Sequence, residues 1–216
     1  MDTDEFTDDQ GLPVRPLPDC SDIRKVTGDH LSKVAQALAA AFYDDPVMSW
    51  VIPDADRRME RLVRGFTLYV SRIWLPQDES YTTDRVAGAA LWMPPGTWKM
   101  GIFEQLRLMP AMIQAMGRDL PRLMTVLTAM EKKHPHDDHY YLPVIGIAPQ
   151  WQGHGFGNHL MKPILARCDE RRLPAYLESS NPRNQTLYER NGFNAVDEVQ
   201  VKDCPPLLRM WREPVV

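Results

Sequence analysis

Apolar residues along this chain recur with two periods. Leu31, Val34, Ala35, Leu38 and Phe42 follow helical spacing, and Asp44-Asp45-Pro46 closes the run because a residue before proline avoids the helical region. Residues 22–26 read as a short strand ahead of it, with Thr27 or Asp29 placed to cap the helix. A second helix is predicted over 55–74, with Arg58, Glu60, Arg61 and Arg64 on its wet face. Residues 81–93 read as β structure, stopped by Pro94-Pro95-Gly96. Two further helices follow. One opens on Phe103, Leu106 and Leu108, with Pro110 set to kink or divide it; the other carries Leu120, Leu123, Met124, Leu127 and Met130 on one face, and Gly117 separates the two. That Met-rich stripe reads first as core packing, and second as the lining of a pocket, since methionine adapts to irregular shapes.

The remainder alternates more tightly. His134-Pro135-His136-Asp137-Asp138-His139 reads as a polar helix-to-strand loop whose spacing fits no metal site. Residues 140–148 are apolar with β-branched members, the pattern of a buried strand, and Pro149 ends it. A helix from about Phe156 to Arg172 turns Leu160, Ile164, Leu165 and Cys168 inward, with a bend expected at Pro163. A strand at 175–179 leads to Ser180 or Asn181 as the cap of a helix with Pro182 at its first position. Asn191-Gly192 closes that helix with Gly192 left-handed, and a hairpin of 193–201 and 207–211 finishes the chain.

Composition narrows the class. A length of 216 residues suits one domain. Residues 1–20 are acidic and then proline-rich, which predicts a loose arm; 21–216 form the domain, with 98–133 as a helical insertion. The net charge of −4 and the lack of a long Lys/Arg run exclude a nucleic-acid groove. No apolar run approaches the roughly 20 residues of a membrane span, and the acidic start is no signal peptide. Cys20, Cys168 and Cys204 are odd in number and widely spaced, which fits a reducing, cytoplasmic setting better than a disulfide framework or zinc site.

The candidate chemistry sits at Gln152-Gly153-His154-Gly155-Phe156-Gly157. Glycines at alternate positions let backbone approach a ligand closely. Between a strand end and a helix start, amides without internal partners favour an anion, a phosphate or pyrophosphate above all. The spacing is neither the Gly-x-Gly-x-x-Gly of dinucleotide folds nor a P-loop, and by itself it also fits a plain tight turn.

Its flanks add to this. The string from Ile145 through Gly157 (a strand, a proline, then Gln-Gly-x-Gly-x-Gly) and the later Asn181-Pro182-Arg183-Asn184-Gln185-Thr186-Leu187-Tyr188-Glu189-Arg190-Asn191-Gly192-Phe193 together resemble the two motifs of the GNAT superfamily of N-acetyltransferases, in the right order. Pro163, Pro174-Ala175, Leu177-Glu178 and Tyr188-Glu189-Arg190 are similar in particular to its puromycin N-acetyltransferase branch, densely over 134–214 and faintly before.

The resemblance implies a mixed α/β fold: a strongly twisted, mostly antiparallel sheet with helices on both faces and one parallel strand pair splayed to admit acetyl-CoA. It implies that Ile145, Gly146 and Ile147 pair with the pantetheine arm, and that Gln152 with Gly153 through Asn158 (Gly153, His154, Gly155, Phe156, Gly157, Asn158) holds the pyrophosphate. Asn181 or Asn184, with Tyr188 on the same helix face as Asn184, also meets the cofactor. Tyr188 is then the general acid that reprotonates the thiolate of coenzyme A: a phenol near ~10 is matched well enough to a thiol near ~8.5. The strand amides, Ile147 N–H foremost, polarise the thioester carbonyl. A primary amine near ~10.4 needs help to lose its proton at neutral pH, and Glu178 on the facing strand is the candidate base. Each has a plainer reading as strand core, helix cap, half-buried aromatic or surface carboxylate. The implied reaction is direct acetyl transfer to a small-molecule amine by a monomer or homodimer. The alternatives are a protein lysine or N-terminal acetyltransferase, marked by an open groove, and a non-catalytic acyl-CoA sensor.

Overall fold

A computed structural model describes residues 23–215, so the expected arm at 1–20 and Cys20 lie outside the described residues. Seven strands form one sheet in the order β1-β2-β3-β4-β5-β7-β6. They are β1 Ile23–Lys25, β2 Ser80–Thr83, β3 Gly88–Met93, β4 Tyr140–Ile147, β5 Ala175–Ser179, β6 Asn194–Val199 and β7 Leu207–Arg212. Every pairing is antiparallel except β4 with β5. The predicted β segment at 81–93 is two strands, because Thr83 to Ala87 turns back on itself, with Thr83 Oγ1 accepting from Ala87 N.

Helices cover both faces. α1 (Leu31–Ala41), α2 (Pro46–Val51), α3 (Ala55–Tyr69), α4 (Ile102–Met116) and α5 (Leu120–Lys133) pack on one, around Val34, Leu38, Leu62, Phe66, Met112 and Val126. α6 (Phe156–Arg171) and α7 (Gln185–Arg190) pack on the other, around Leu160, Ile164, Leu177 and Phe193. Each such side chain taken fully from water contributes about 1.5–3 kcal/mol. Among the described residues no helix is long and apolar enough to cross a membrane.

Several local expectations are corrected by tertiary contacts. Pro46 does not only close α1; it opens α2, because Asp45 accepts hydrogen bonds from Val47 N and Met48 N and so caps a new helix. Thr27 precedes a short 3-10 turn, Gly28–His30, rather than α1 itself. The helix expected over 55–74 is α-helical to Tyr69 and then widens into a π turn at Val70–Trp74. Arg61 is not on its wet face: it pairs with buried Asp119 and ties α3 to the α4–α5 junction. Arg58 is half-buried, donating to Ile52 O and Tyr43 O. α4 runs through Pro110 and α6 through Pro163 without division. In α4 it is Leu108, Met112, Ala115 and Met116 that turn inward, while Phe103 and Leu106 face solvent.

Candidate active site

β4 and β5 pair only at Tyr140↔Ala175 and Tyr141↔Tyr176. Beyond that point β4 stays with β3 as far as Ile147, and β5 stays with β7 as far as Ser179, so the two parallel strands part. The cause is local. Leu91 faces Val144 and Met93 faces Tyr141, so three residue steps on β4 span two on β3. This is a β-bulge at Leu142-Pro143, and a bulge bends the strand that carries it. Proline, lacking an N–H, is tolerated there.

Past the bulge, the ladder decides which amides face the gap. Ala148 N donates to Ala87 O at 2.9 Å, so by strand alternation Gly146 and Val144 also turn their amides to β3. Ile145 and Ile147 turn theirs to the gap, and Gln152 Nε2 donating to Ile147 O at 2.9 Å agrees. Of the three strand residues expected to meet the pantetheine arm, Gly146 therefore has a different reason to be glycine. A Cβ there would lie 2.9 Å from Ala41 Cβ and 3.0 Å from Phe42 Cε2, so glycine lets α1 approach the sheet.

The glycine loop follows. Gly153 and Gly155 have φ of +82° and +79°, the left-handed region, with Gly155 as the N-cap of α6. Gly157 is glycine for packing: its Cβ would come within 3.0 Å of Leu187 on α7. The first bond of the α6 ladder is His159 N to Gly155 O, so the amides of Phe156, Gly157 and Asn158 precede it at the positive end of the helix dipole. His154 Nδ1 lies 2.8 Å from Gln152 O, which folds the imidazole onto the loop itself. This cradle, wedged between the splayed strand and α7, fits a diphosphate group.

On the face covered by α1 to α5 the splay opens onto a cavity of ≈ 180 Å³. Phe42, Phe66, Tyr69, Trp74, Leu127 and Met130 supply its apolar walls. The Met-rich stripe of α5 thus packs the core and lines a pocket at once. Ile145, Glu178, Ser180, Asn184 and Tyr188 stand at its other side. Asn184 and Asn181 are now distinguishable: Asn184 lines the cavity, whereas the Asn181 side chain accepts from Arg183 N at 3.1 Å as the cap of the turn Pro182–Asn184.

Glu178 is not a surface carboxylate. Its side chain is 0% exposed, Oε1 accepts from Tyr176 Oη at 2.8 Å, and Oε2 has no hydrogen-bond partner among the described residues. Burial raises its pKa to about 7, against the opposing pull of the Tyr141 and Tyr176 hydroxyls and of Arg209. Tyr188 is buried on the inner face of α7, and burial together with the nearby Asp45 carboxylate moves its phenol well above the ordinary range.

The sequence reading missed three participants. Asp45, itself 5% exposed, accepts a hydrogen bond from Ser180 Oγ. His134 and His139 do not lie in a solvated loop: both are buried, Nε2 to Nε2 at 3.1 Å, with His134 Nδ1 3.9 Å from Glu178 Oε1. They face each other rather than a shared metal centre. The cue for Asp45 was the residue before a proline; the strand-flanking histidines carried no local cue, because only the β4–β5 pairing sets them beside Glu178.

Known proteins agree with this architecture. Residues 128–213 match the model of the acetyltransferase (GNAT) domain family. An uncharacterised N-acetyltransferase of Schizosaccharomyces pombe is 29% identical over 206 residues, 88% of this chain and 83% of that protein. Among solved structures, histone acetyltransferase HPA2 and related acetyltransferase from Corynebacterium glutamicum is 24% identical with a TM-score of 0.71, covering 90% of this chain and 97% of its own. Arylalkylamine N-acetyltransferase 2 from Aedes aegypti is 13% identical with a TM-score of 0.58, over 88% of this chain and 97% of its own. The Drosophila melanogaster polyamine N-acetyltransferase is 14% identical with a TM-score of 0.58, over 88% and 98%. A bulged and splayed parallel pair, a glycine cradle at the start of α6 and these matches lead to one conclusion: residues 128–213 resemble the acetyltransferase (GNAT) domain, and the chain as a whole has the fold of N-acetyltransferases.

Proposed function

We propose that the protein transfers acetyl from acetyl-CoA directly to the amine of a small, largely apolar molecule. The observation that carries this is the cavity: apolar walls, a size near the ~150 Å³ of cavities that hold a benzene ring, and one buried carboxylate, Glu178, at the strand gap. α3 and α5 roof it, which favours a small acceptor over the lysine of a protein substrate. The segment 98–133 acts, in this reading, as the acceptor-binding insertion of a single domain. The acceptor itself is not inherited from the puromycin N-acetyltransferase likeness, because the walls come from the half of the chain where that likeness is faint.

Bound acetyl-CoA supplies an activated acetyl thioester. The amides of Gly153 through Asn158 hold its diphosphate, and those of Ile145 and Ile147 meet the pantetheine arm and polarise the carbonyl oxygen. Glu178, ionised above about pH 7, takes the proton of the acceptor ammonium. Tyr188, which stays protonated at every working pH, gives its phenolic proton to the leaving sulfur and is restored by the second proton that the acceptor nitrogen sheds as the amide forms. Asn184 is favoured over Asn181 as the cofactor contact, since the Asn181 side chain is engaged as a cap.

The test is thiol release from acetyl-CoA across a panel of amines. Turnover is expected with monoamines carrying an aryl or short alkyl body, such as 2-phenylethylamine, and is expected to be poor with polyamines, whose second cation finds no further carboxylate among the cavity walls. No turnover with any amine sinks the enzyme reading in favour of an acyl-CoA sensor; turnover confined to lysine peptides sinks the small-molecule one.

A further inference from the structure

Glu178 has one carboxylate oxygen engaged and one open, and the sheet explains which. Tyr176 and Glu178 stand two apart on β5 and so share a face. Arg209 of β7 lies directly across the ladder from Glu178, and Asp197 of β6 lies directly across from Arg209. A carboxylate opposite a guanidinium is placed to pair with it. Here the guanidinium bonds elsewhere: Nε donates to Tyr176 Oη at 3.0 Å, and Nη1 donates to Asp197 Oδ1 at 2.9 Å. The Tyr176 hydroxyl has one hydrogen to give, and it goes to Glu178 Oε1 at 2.8 Å. Neighbouring strands thus carry one directional row, Asp197, Arg209, Tyr176 and Glu178, that ends on Oε1.

We propose that Tyr176, Arg209 and Asp197 are positioning residues that hold Glu178 by Oε1 and leave Oε2 as the oxygen that takes the proton of the acceptor. This rests on the acetyl-transfer reading above. The interposed phenol matters because it carries no charge. An opposite charge in direct contact lowers a carboxyl by about one to three units, which would make Glu178 a weak base for an ammonium. With Tyr176 in between, Oε1 is satisfied, the pull of Arg209 is partial, and burial holds the carboxyl at about 7. Asp197 draws the guanidinium toward β6 and offsets its charge, and Lys133 of α5 in turn donates to Asp197 at 3.3 Å.

The other groups around Glu178 do not supply this charge. Tyr141 of β4, Tyr69 of α3 and Tyr188 of α7 are phenols that burial keeps protonated. His134, 3.9 Å from Oε1, is lowered to about 3, by burial first and then by His139 and Arg209, so it is neutral in the working range. Arg61, across the cavity, is already paired with Asp119, and Asp45 lies beyond the Ser180 hydroxyl that it holds. Arg209 is the cation that bears on the carboxylate.

Two substitutions move that charge in opposite senses. Arg209→Met keeps an aliphatic stem beside the Tyr176 ring, whose centroid lies 5.6 Å from Cζ, and removes the charge that favours the carboxylate. Asp197→Asn, at a half-exposed site, removes the counter-charge and lets the guanidinium pull harder. On the protein alone, the Glu178 carboxyl is followed by carbon NMR of glutamate labelled at Cδ, its resonance assigned by its loss in Glu178→Gln. The midpoint is expected to rise by up to about one unit in Arg209→Met and to fall in Asp197→Asn. Midpoints that stay in place, or that move the same way in both, overturn the proposal. In turnover with 2-phenylethylamine the kcat/KM midpoint is expected to follow. Tyr176→Phe is expected to lower the plateau kcat on the order of tenfold with coenzyme A affinity unchanged, and a parental plateau overturns its positioning role. A wild type that acetylates nothing strikes the acetyl-transfer reading instead, and the carboxyl titration then decides whether the row acts on Glu178.

Discussion

Ser180 Oγ donates to Asp45 Oδ2 at 2.5 Å, across 135 positions of sequence. This bond joins the two halves of the site. Asp45 caps α2 with its other oxygen, and Ser180 directly follows the strand that carries Glu178. A carboxylate buried among few partners also bears on Tyr188, whose phenol it helps to keep protonated.

Asp45→Ala removes both functions of that side chain. The lost cap alone costs about 1 kcal/mol, and the stranded Ser180 hydroxyl adds to it. For a chain of this size the expected fall in Tm is about 2–4 °C per kcal/mol. Ser180→Ala leaves the cap in place and is expected to cost less. Thermal unfolding of the two variants, side by side, measures the difference; equal losses would show that the bond and not the cap dominates.

Glu178 gives stability an unusual pH dependence. A carboxyl whose folded pKa is raised to about 7 binds its proton more tightly in the folded than in the unfolded chain. Its contribution is therefore fully present below the ordinary glutamate range and is lost as pH rises through about 7. The loss is roughly 3 kcal/mol at 1.36 kcal/mol per unit. Glu178→Gln is expected to unfold later than the parent in urea at pH 8 and to show no such advantage at pH 4. The same titration sets activity: kcat/KM is expected to rise with pH through about 7 in the parent, and to be low and flat in the variant.

Tyr188→Phe keeps the ring in its pocket beside Phe193 and deletes the one hydroxyl. A fall in kcat of on the order of 10²-fold or more is expected, with coenzyme A affinity little changed. Single-turnover kinetics and a binding isotherm separate the two quantities. Parent-like kcat would remove Tyr188 from the acid's role.

The glycines of the site differ in what a methyl group would do. Gly146→Ala places a Cβ against Ala41, Phe42 and Leu38 at 2.9–3.1 Å, where backbone on both sides is fixed, and about 1–3 kcal/mol of overpacking is expected. At Gly153 a Cβ meets nothing within 4 Å; the left-handed backbone alone is strained, at about 1–2 kcal/mol. Denaturant unfolding should therefore find Gly146→Ala at least as damaging as Gly153→Ala, whereas coenzyme A binding should suffer more at Gly153, where the ligand approaches.

Much of this protein was legible before any coordinates. The strand before the loop, the cap at Asn181, the left-handed closing Gly192 and the final hairpin are local events, set by backbone sterics and by side chains within a few residues of one another. The burial of Arg61 against Asp119, the enclosure of Glu178, the meeting of His134 with His139, and the bond from Ser180 to Asp45 were decided only by the tertiary fold. Each joins chain segments through a pocket wall or a strand pairing, and a charged or titratable side chain looks the same in sequence whether water or another side chain will be its partner. Periodicity reports which face of an element is apolar; it carries no record of which polar residue the opposite element will bring to meet it.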